Sequence, residues 1–130
     1  MEPIRTNLLE EDEHAQKVGI KASIRIAIPS KKVKEATAIF RSLIEETRLQ
    51  DGCLSCRLYQ DILEDQSLML EEVWMSQKDL ERHLRSDKFL AVLFAMEMSA
   101  KAPEVRFEEI SQCSGIETIE RARAQPEGLK

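Results

Sequence analysis

Glu72-Val73-Trp74-Met75-Ser76, continued by Leu80-Glu81-Arg82-His83-Leu84-Arg85-Ser86-Asp87-Lys88-Phe89, is the stretch where this chain turns from strand to helix. The apolar run Leu68 to Met75 has the character of a central strand. Ser76 offers a side-chain acceptor for a helix start, and Asp79 three residues on is a shorter form of the capping-box acid. Leu80, His83 and Leu84 then share one side of the first turns. The junction carries the one tryptophan of the chain and one of its two histidines. Two large, versatile residues this close read as the wall of a pocket.

Downstream, Ser86-Asp87 reads as a break, after which Phe89 to Met98 resumes as an apolar helix with Leu90, Leu93, Phe94 and Met98 at helical spacing. Val105 to Ile110 has the polarity of an edge strand. Gly115 to Gln125 carries a weaker helical pattern, stopped by Pro126. Upstream, Ile20 to Ile28 alternates Ile20, Ala22, Ile24, Ile26 and Ile28 with Lys21, Ser23 and Arg25, as a half-buried strand does. Pro29 stops it, and Ser30 is placed to cap a helix running to about Arg48, with Val33, Ala36, Phe40, Leu43 and Ile44 on one face. Asp51-Gly52 makes a turn. Cys53 to Ile62 is a second alternating strand, with Leu54, Cys56, Leu58 and Ile62 on one face and Ser55, Arg57, Tyr59 and Asp61 on the other. The polar link Glu64 to Ser67 is of hairpin length.

The order strand-helix-strand, strand-helix-strand is the split βαβ or ferredoxin-like plan, an α+β fold: a four-stranded antiparallel sheet with the helices on one face. The other face is left uncovered. Trp74 or Met75 on that side would expose an apolar patch, which pairing of two chains would bury. Residues 19–111 form the expected domain, residues 1–18 a flexible acidic arm, and residues 112–130 an extension with a short helix.

Composition excludes several classes. A net charge of -5 over 130 residues argues against a nucleic-acid binder. Phe89 to Met96, the longest strongly apolar run, is too short for a membrane span, and the first residues lack a signal-peptide core. The expected location is cytoplasmic. Cys53, Cys56 and Cys113 are an odd number, which suits a reducing compartment. The Cys53/Cys56 pair lacks the further ligands that a zinc site needs and sits in a strand pattern, so both read as small buried or strand residues, with no metal.

Asp51-Gly52-Cys53-Leu54-Ser55, Glu72-Val73-Trp74 and Leu80-x-x-His83-Leu84-x-Ser86-x-x-Phe89 together resemble the antibiotic biosynthesis monooxygenase family over about Lys21 to Ile110. The resemblance implies a ferredoxin-like protomer assembled as a homodimer, the dimeric α/β barrel. It also implies cofactor-independent oxidation of a small aromatic or quinol-like substrate by dioxygen. Such chemistry needs a dry cavity, a group that takes a phenolic proton and donors for the resulting anion. His83 and Trp74 are the catalytic candidates, and Arg57, Tyr59 and Glu72 the substrate-binding ones. Cys56 stands where the family frequently has a tyrosine. A haem-degrading relative would need an iron-binding histidine near Leu93 and an asparagine on the first strand; this chain has neither. The rival from another class is a non-catalytic binding or structural dimer. A histidine between Leu80 and Leu84 also suits a packed, hydrogen-bonded core position, and Trp74 an anchor.

Overall fold

A computed structural model describes residues 19–64 and 66–125; the expectations for residues 1–18 and for Pro126 lie outside them. Strand β1 spans Gly19–Ala27, and a 3-10 turn at Ser30–Lys32 leads into helix α1, Val33–Thr47. Strands β2, Cys53–Gln60, and β3, Ser67–Trp74, form a hairpin. Two short helices follow, α2 at Gln77–Leu84 and α3 at Phe89–Glu97, then strand β4, Glu104–Ile110. The sheet has four strands in the order β2-β3-β1-β4, the ferredoxin-like arrangement. The expected break at Ser86-Asp87 is present.

Alternation decides which side of the sheet is covered. Ala22, Ile24 and Ile26 of β1 and Leu68, Leu70 and Trp74 of β3 are buried. Ala36, Phe40 and Leu43 recur at helical spacing along α1 and join Ile24, Ile26, Leu70 and Cys56 in the main core. Burying one such phenylalanine or leucine contributes about 2 kcal/mol. Ala22, Trp74 and Leu80 form a second, smaller cluster at one end.

Four local expectations are corrected. Ser30 is not a helix cap: it lies in the 3-10 turn, and its hydroxyl accepts from Gln66 Nε2 at 2.8 Å. Strand β2 stops at Gln60, and Ile62 is 92% exposed. A bulge between Cys53 and Ser55 inserts Leu54, so Cys53 and Cys56 share the covered side while Leu54 turns outward; one extra residue reverses the alternation beyond it. On α3 the buried stripe is Phe89, Val92 and Ala95, leaving Leu90, Leu93 and Phe94 largely exposed. That helix is apolar all round, so spacing alone does not select its inner face.

The open face is charged. Lys21 pairs with Glu71 at 3.8 Å and Glu108 at 3.9 Å, and Arg25 with Glu104 and Asp61, both at 3.8 Å. Trp74 lies on the covered side instead. Exposed pairs of this kind contribute roughly 0–1 kcal/mol each and serve solubility and specificity more than stability.

The chain divides into two compact units, Gly19–Glu109 and a second that includes the segment from Ile110. Within the latter, helix α4 spans Ile116–Ala124, and Gly115 N–H donates to the Glu117 carboxylate at its start.

Candidate active site

Strand β3 ends by placing two alternate residues, Glu72 and Trp74, toward the helices. Ser76 then starts α2: its hydroxyl accepts from Asp79 N–H at 3.1 Å and donates to the Asp79 carboxylate at 2.8 Å. That cap fixes the first turn, and two turns on His83 comes back over the sheet. Gly52 fits here with φ +85, a conformation that disfavours a side chain, and a Cβ would run into the Asp79 carboxyl. Its carbonyl accepts from Met75 N–H at 2.7 Å, tying the turn before β2 to the end of β3.

The result is a closed polar group inside an apolar one. Trp74 is 0%, His83 1% and Glu72 2% exposed. Trp74 Nε1–H donates to Glu72 Oε1 at 3.0 Å, and Glu72 Oε2 lies 3.3 Å from His83 Nε2. The imidazole stacks on the indole, with centroids 4.6 Å apart and planes at 28°, and Phe89 meets it edge-on at 5.4 Å. On its far side His83 Nδ1 lies 3.0 Å from Gln50 Oε1. A carbonyl oxygen only accepts, so Nδ1 carries a proton in this arrangement. The Glu72–His83 contact holds a second one, as an imidazolium facing a carboxylate or a neutral ring facing a carboxylic acid.

The spacing of the helix motif now has physical content. Ser86 Oγ donates to the His83 carbonyl at 2.7 Å, closing the end of α2, and Phe89 supplies the edge against the ring. Glu72 also acts on β2: burial first and its charge second push the Cys53 thiol up and that of Cys56 up to about 12. Both cysteines are therefore neutral packing groups near neutrality.

Glu72, Trp74 and His83 thus come together. Arg57 and Tyr59 do not join them: their register partners are Glu71 and Met69, and they lie exposed on the opposite face. Gln50 belongs to the group and no sequence pattern marks it; it stands in the irregular link between α1 and β2. Among the described residues no three His, Cys, Asp or Glu side chains are grouped to hold a metal. No helix there is long and apolar enough to cross a membrane.

The family model for antibiotic biosynthesis monooxygenase matches residues 19–93. An uncharacterised protein of Synechocystis, sll1783, is 29% identical over 105 residues, 80% of this chain and 71% of that one. A conserved protein from Methanosarcina mazei superposes with a TM-score of 0.68 at 27% identity, over 72% of this chain and 94% of its own. Rv0793 from Mycobacterium tuberculosis superposes at 0.67 and 22% identity, over 74% and 98%. The match spans more than half of the residues, including the whole Glu72–Trp74–His83 group, and the chain belongs to the antibiotic biosynthesis monooxygenase family.

Proposed function

We propose that the protein oxidises a small aromatic or quinol-like substrate with dioxygen, without a cofactor, as a homodimer paired through the open face of its sheet. The observation that carries this reading is the buried Glu72–His83 pair stacked against Trp74, in a chain of this family. A fold gains little from such a pair, since well-packed apolar residues often serve as well or better. Proton removal in a dry site does need one.

In the working form Nε2–H faces the Glu72 carboxylate and Nδ1 is the acceptor. Glu72 orients the ring and stabilises the imidazolium that forms, as a carboxylate does behind a catalytic histidine. The deprotonated substrate is electron-rich and reduces dioxygen. At a ring CH2 group, one oxygen atom becomes the new carbonyl. The other leaves as water with the two hydrogens of that carbon, so all four electrons come from the substrate. A hydroquinone, which has no such carbon, gives two electrons and two protons to dioxygen and leaves as the quinone beside hydrogen peroxide. Trp74 and Phe89 hold the ring of His83 in place and keep water from it.

An oxygen-uptake screen against hydroquinones and polyphenols, with and without flavin or haem, tests this reading. Uptake is expected without either addition and is expected to drop by about 100-fold or more in Glu72→Gln and His83→Gln. Uptake that requires flavin overturns it.

One observation favours a second reading, a non-catalytic binding or structural dimer: both His83 nitrogens are engaged and Trp74 is sealed. Silence throughout the screen supports it. Haem degradation is not proposed, because neither Leu93 nor its neighbours supply the iron-binding histidine that such a relative needs, and Leu93 lies on the exposed side of α3.

A further inference from the structure

We propose that Gln50 is the positioning residue that sets the proton state of the Glu72–His83 pair, and the door through which a neutral hydroxylated aromatic reaches His83 Nδ1. This deepens the reading above and rests on it for the identity of the ligand.

The imidazole is enclosed on its other sides. Trp74 covers one face, Phe89 meets it edge-on, and Glu72 holds Nε2. Gln50 is different: it is half-buried and also lines a surface recess of about 320 Å3 with Asp51, Arg82, Ser86, Asp87 and Lys88. Gln50 thus belongs to the wall of the recess and, through its Oε1, to the buried pair.

Its backbone is tied down, and its side chain is held through a polar contact at its amide end. Gln50 N–H donates to the Thr47 carbonyl at 3.0 Å, and Cys53 N–H donates to the Gln50 carbonyl at 3.1 Å. Among the described residues its side chain has one polar contact, the one with His83. An amide can present either of two ends. With oxygen forward, Nδ1 must carry its proton and the pair holds two. With the amide turned by about 180°, its NH2 donates to a bare Nδ1 and the pair holds one. Only the second form takes a proton from a ligand. Gln50 therefore holds the pair in its non-accepting form until the amide turns or swings out.

The recess suits a small neutral molecule. An engineered cavity of about 150 Å3 already admits benzene, so one substituted ring fits. Its two cations are partly matched: Arg82 pairs with Asp79 at 2.9 Å and Lys88 with Glu46 at 3.9 Å. With Asp51 and Asp87 also in the wall, no excess of positive charge selects an anion. A phenolic hydroxyl can take the place of the amide at Nδ1.

The chain's single tryptophan reports the proton state directly, because an imidazolium stacked on indole quenches its fluorescence far more than a neutral ring does. Charged or titratable groups placed around the pair and Gln50 are Glu72 from β3, Cys53 and Cys56 of β2 with Arg48 acting on both, and Asp51, Arg82, Asp87 and Lys88 of the recess wall. Cys53 and Cys56 on β2 are neutral thiols over the working range.

The experiment is a pH titration of Trp74 fluorescence in the wild type, Gln50→Met and Gln50→Glu, with the 15N resonances of His83 followed in parallel; His14 is the one other histidine and is assigned by substitution. Methionine keeps the length and removes the acceptor, so the quenching midpoint is expected to fall by about one pH unit. Glutamate puts a second carboxylate on Nδ1–H and is expected to raise it by about as much. Hydroquinone is the ligand probe: it is expected to move the wild-type Nδ1 resonance into the unprotonated range, and to do so less in Gln50→Glu. Coincident midpoints in all three proteins overturn the positioning role, and an Nδ1 signal unmoved by hydroquinone overturns the door. Shifted midpoints and a responsive Nδ1, in a protein that consumes no oxygen with any quinol, uphold Gln50 while the oxidase reading fails.

Discussion

Glu72 Oε2 and His83 Nε2 stand 3.3 Å apart in a site from which solvent is excluded, and the other oxygen of the same carboxyl group accepts a hydrogen bond from Trp74 Nε1–H. Each partner is the other's compensation for burial. Glu72→Leu strands the imidazole and indole N–H groups, and His83→Leu strands a carboxylate, so each is expected to cost about 3–5 kcal/mol in urea unfolding. The double variant removes both groups and is expected to cost clearly less than the sum. Additive losses would mean that the two side chains are not coupled.

The turn at Gly52 carries the register between β2, β3 and the start of α2. Gly52→Ala forces a side chain into a positive-φ conformation and against the Asp79 carboxyl that Ser76 and Arg82 hold. A loss of about 1–3 kcal/mol is expected, read as an earlier thermal transition. An unchanged transition would show that the turn relaxes freely.

Much of this fold is legible where apolar periodicity is strict. In β1 each second residue from Ile20 to Ile28 is apolar, and that strand and its inner face follow directly. The outward residues Lys21 and Arg25 likewise foretell the charged open face. Legibility ends where one residue is inserted: nothing in Cys53-Leu54-Ser55 announces the bulge that turns Leu54 outward. It also ends in α3, where every face is apolar. At the site, Glu72, Trp74 and His83 can be picked out because their motif spacing brings them to one junction. Gln50 cannot, because a glutamine in a link has no period, and its meaning comes from a contact 33 residues away.

The three thiols should separate in reactivity. Cys113 is exposed, Cys53 is half-buried with its thiol pushed up by burial and by Glu72, and Cys56 is buried and pushed up to about 12. Since the thiolate is the reactive form, iodoacetamide at pH 8 is expected to modify Cys113 first, Cys53 more slowly and Cys56 only as the domain opens. Glu72→Gln removes one cause of the shift and is expected to speed Cys53, by mass spectrometry of timed samples. Equal rates at Cys53 and Cys56 would contradict the burial pattern of the bulged strand.

Thr47 presents a simpler imbalance. It is fully buried at the end of α1, and its hydroxyl has no hydrogen-bond partner among the described residues. Thr47→Val keeps the shape and removes the stranded group, so a gain of about 1 kcal/mol is expected. A destabilised variant would reveal a partner for that hydroxyl, such as a buried water.

The cap of α2 should give the domain an acid-sensitive element of definite sign. The Ser76 hydroxyl, followed by Arg82, holds the Asp79 carboxyl below its ordinary value of 3.8. A carboxyl depressed in the folded state stabilises the fold above its unfolded value, and that contribution fades as pH falls through the folded one. Ser76→Ala removes both the acceptor for Asp79 N–H and the donor to its carboxylate. At neutral pH it is expected to lower the melting temperature by a few degrees. The gap from wild type should narrow below pH 4, where protonation of Asp79 weakens in the wild type the charge-assisted contact that the variant already lacks. Melting curves that stay parallel down to pH 2 would show that Ser76 acts through the backbone cap alone. Loss of the cap also loosens the turn that carries His83, so the same variant should quench differently at Trp74, linking the start of α2 to the proton state of the buried pair.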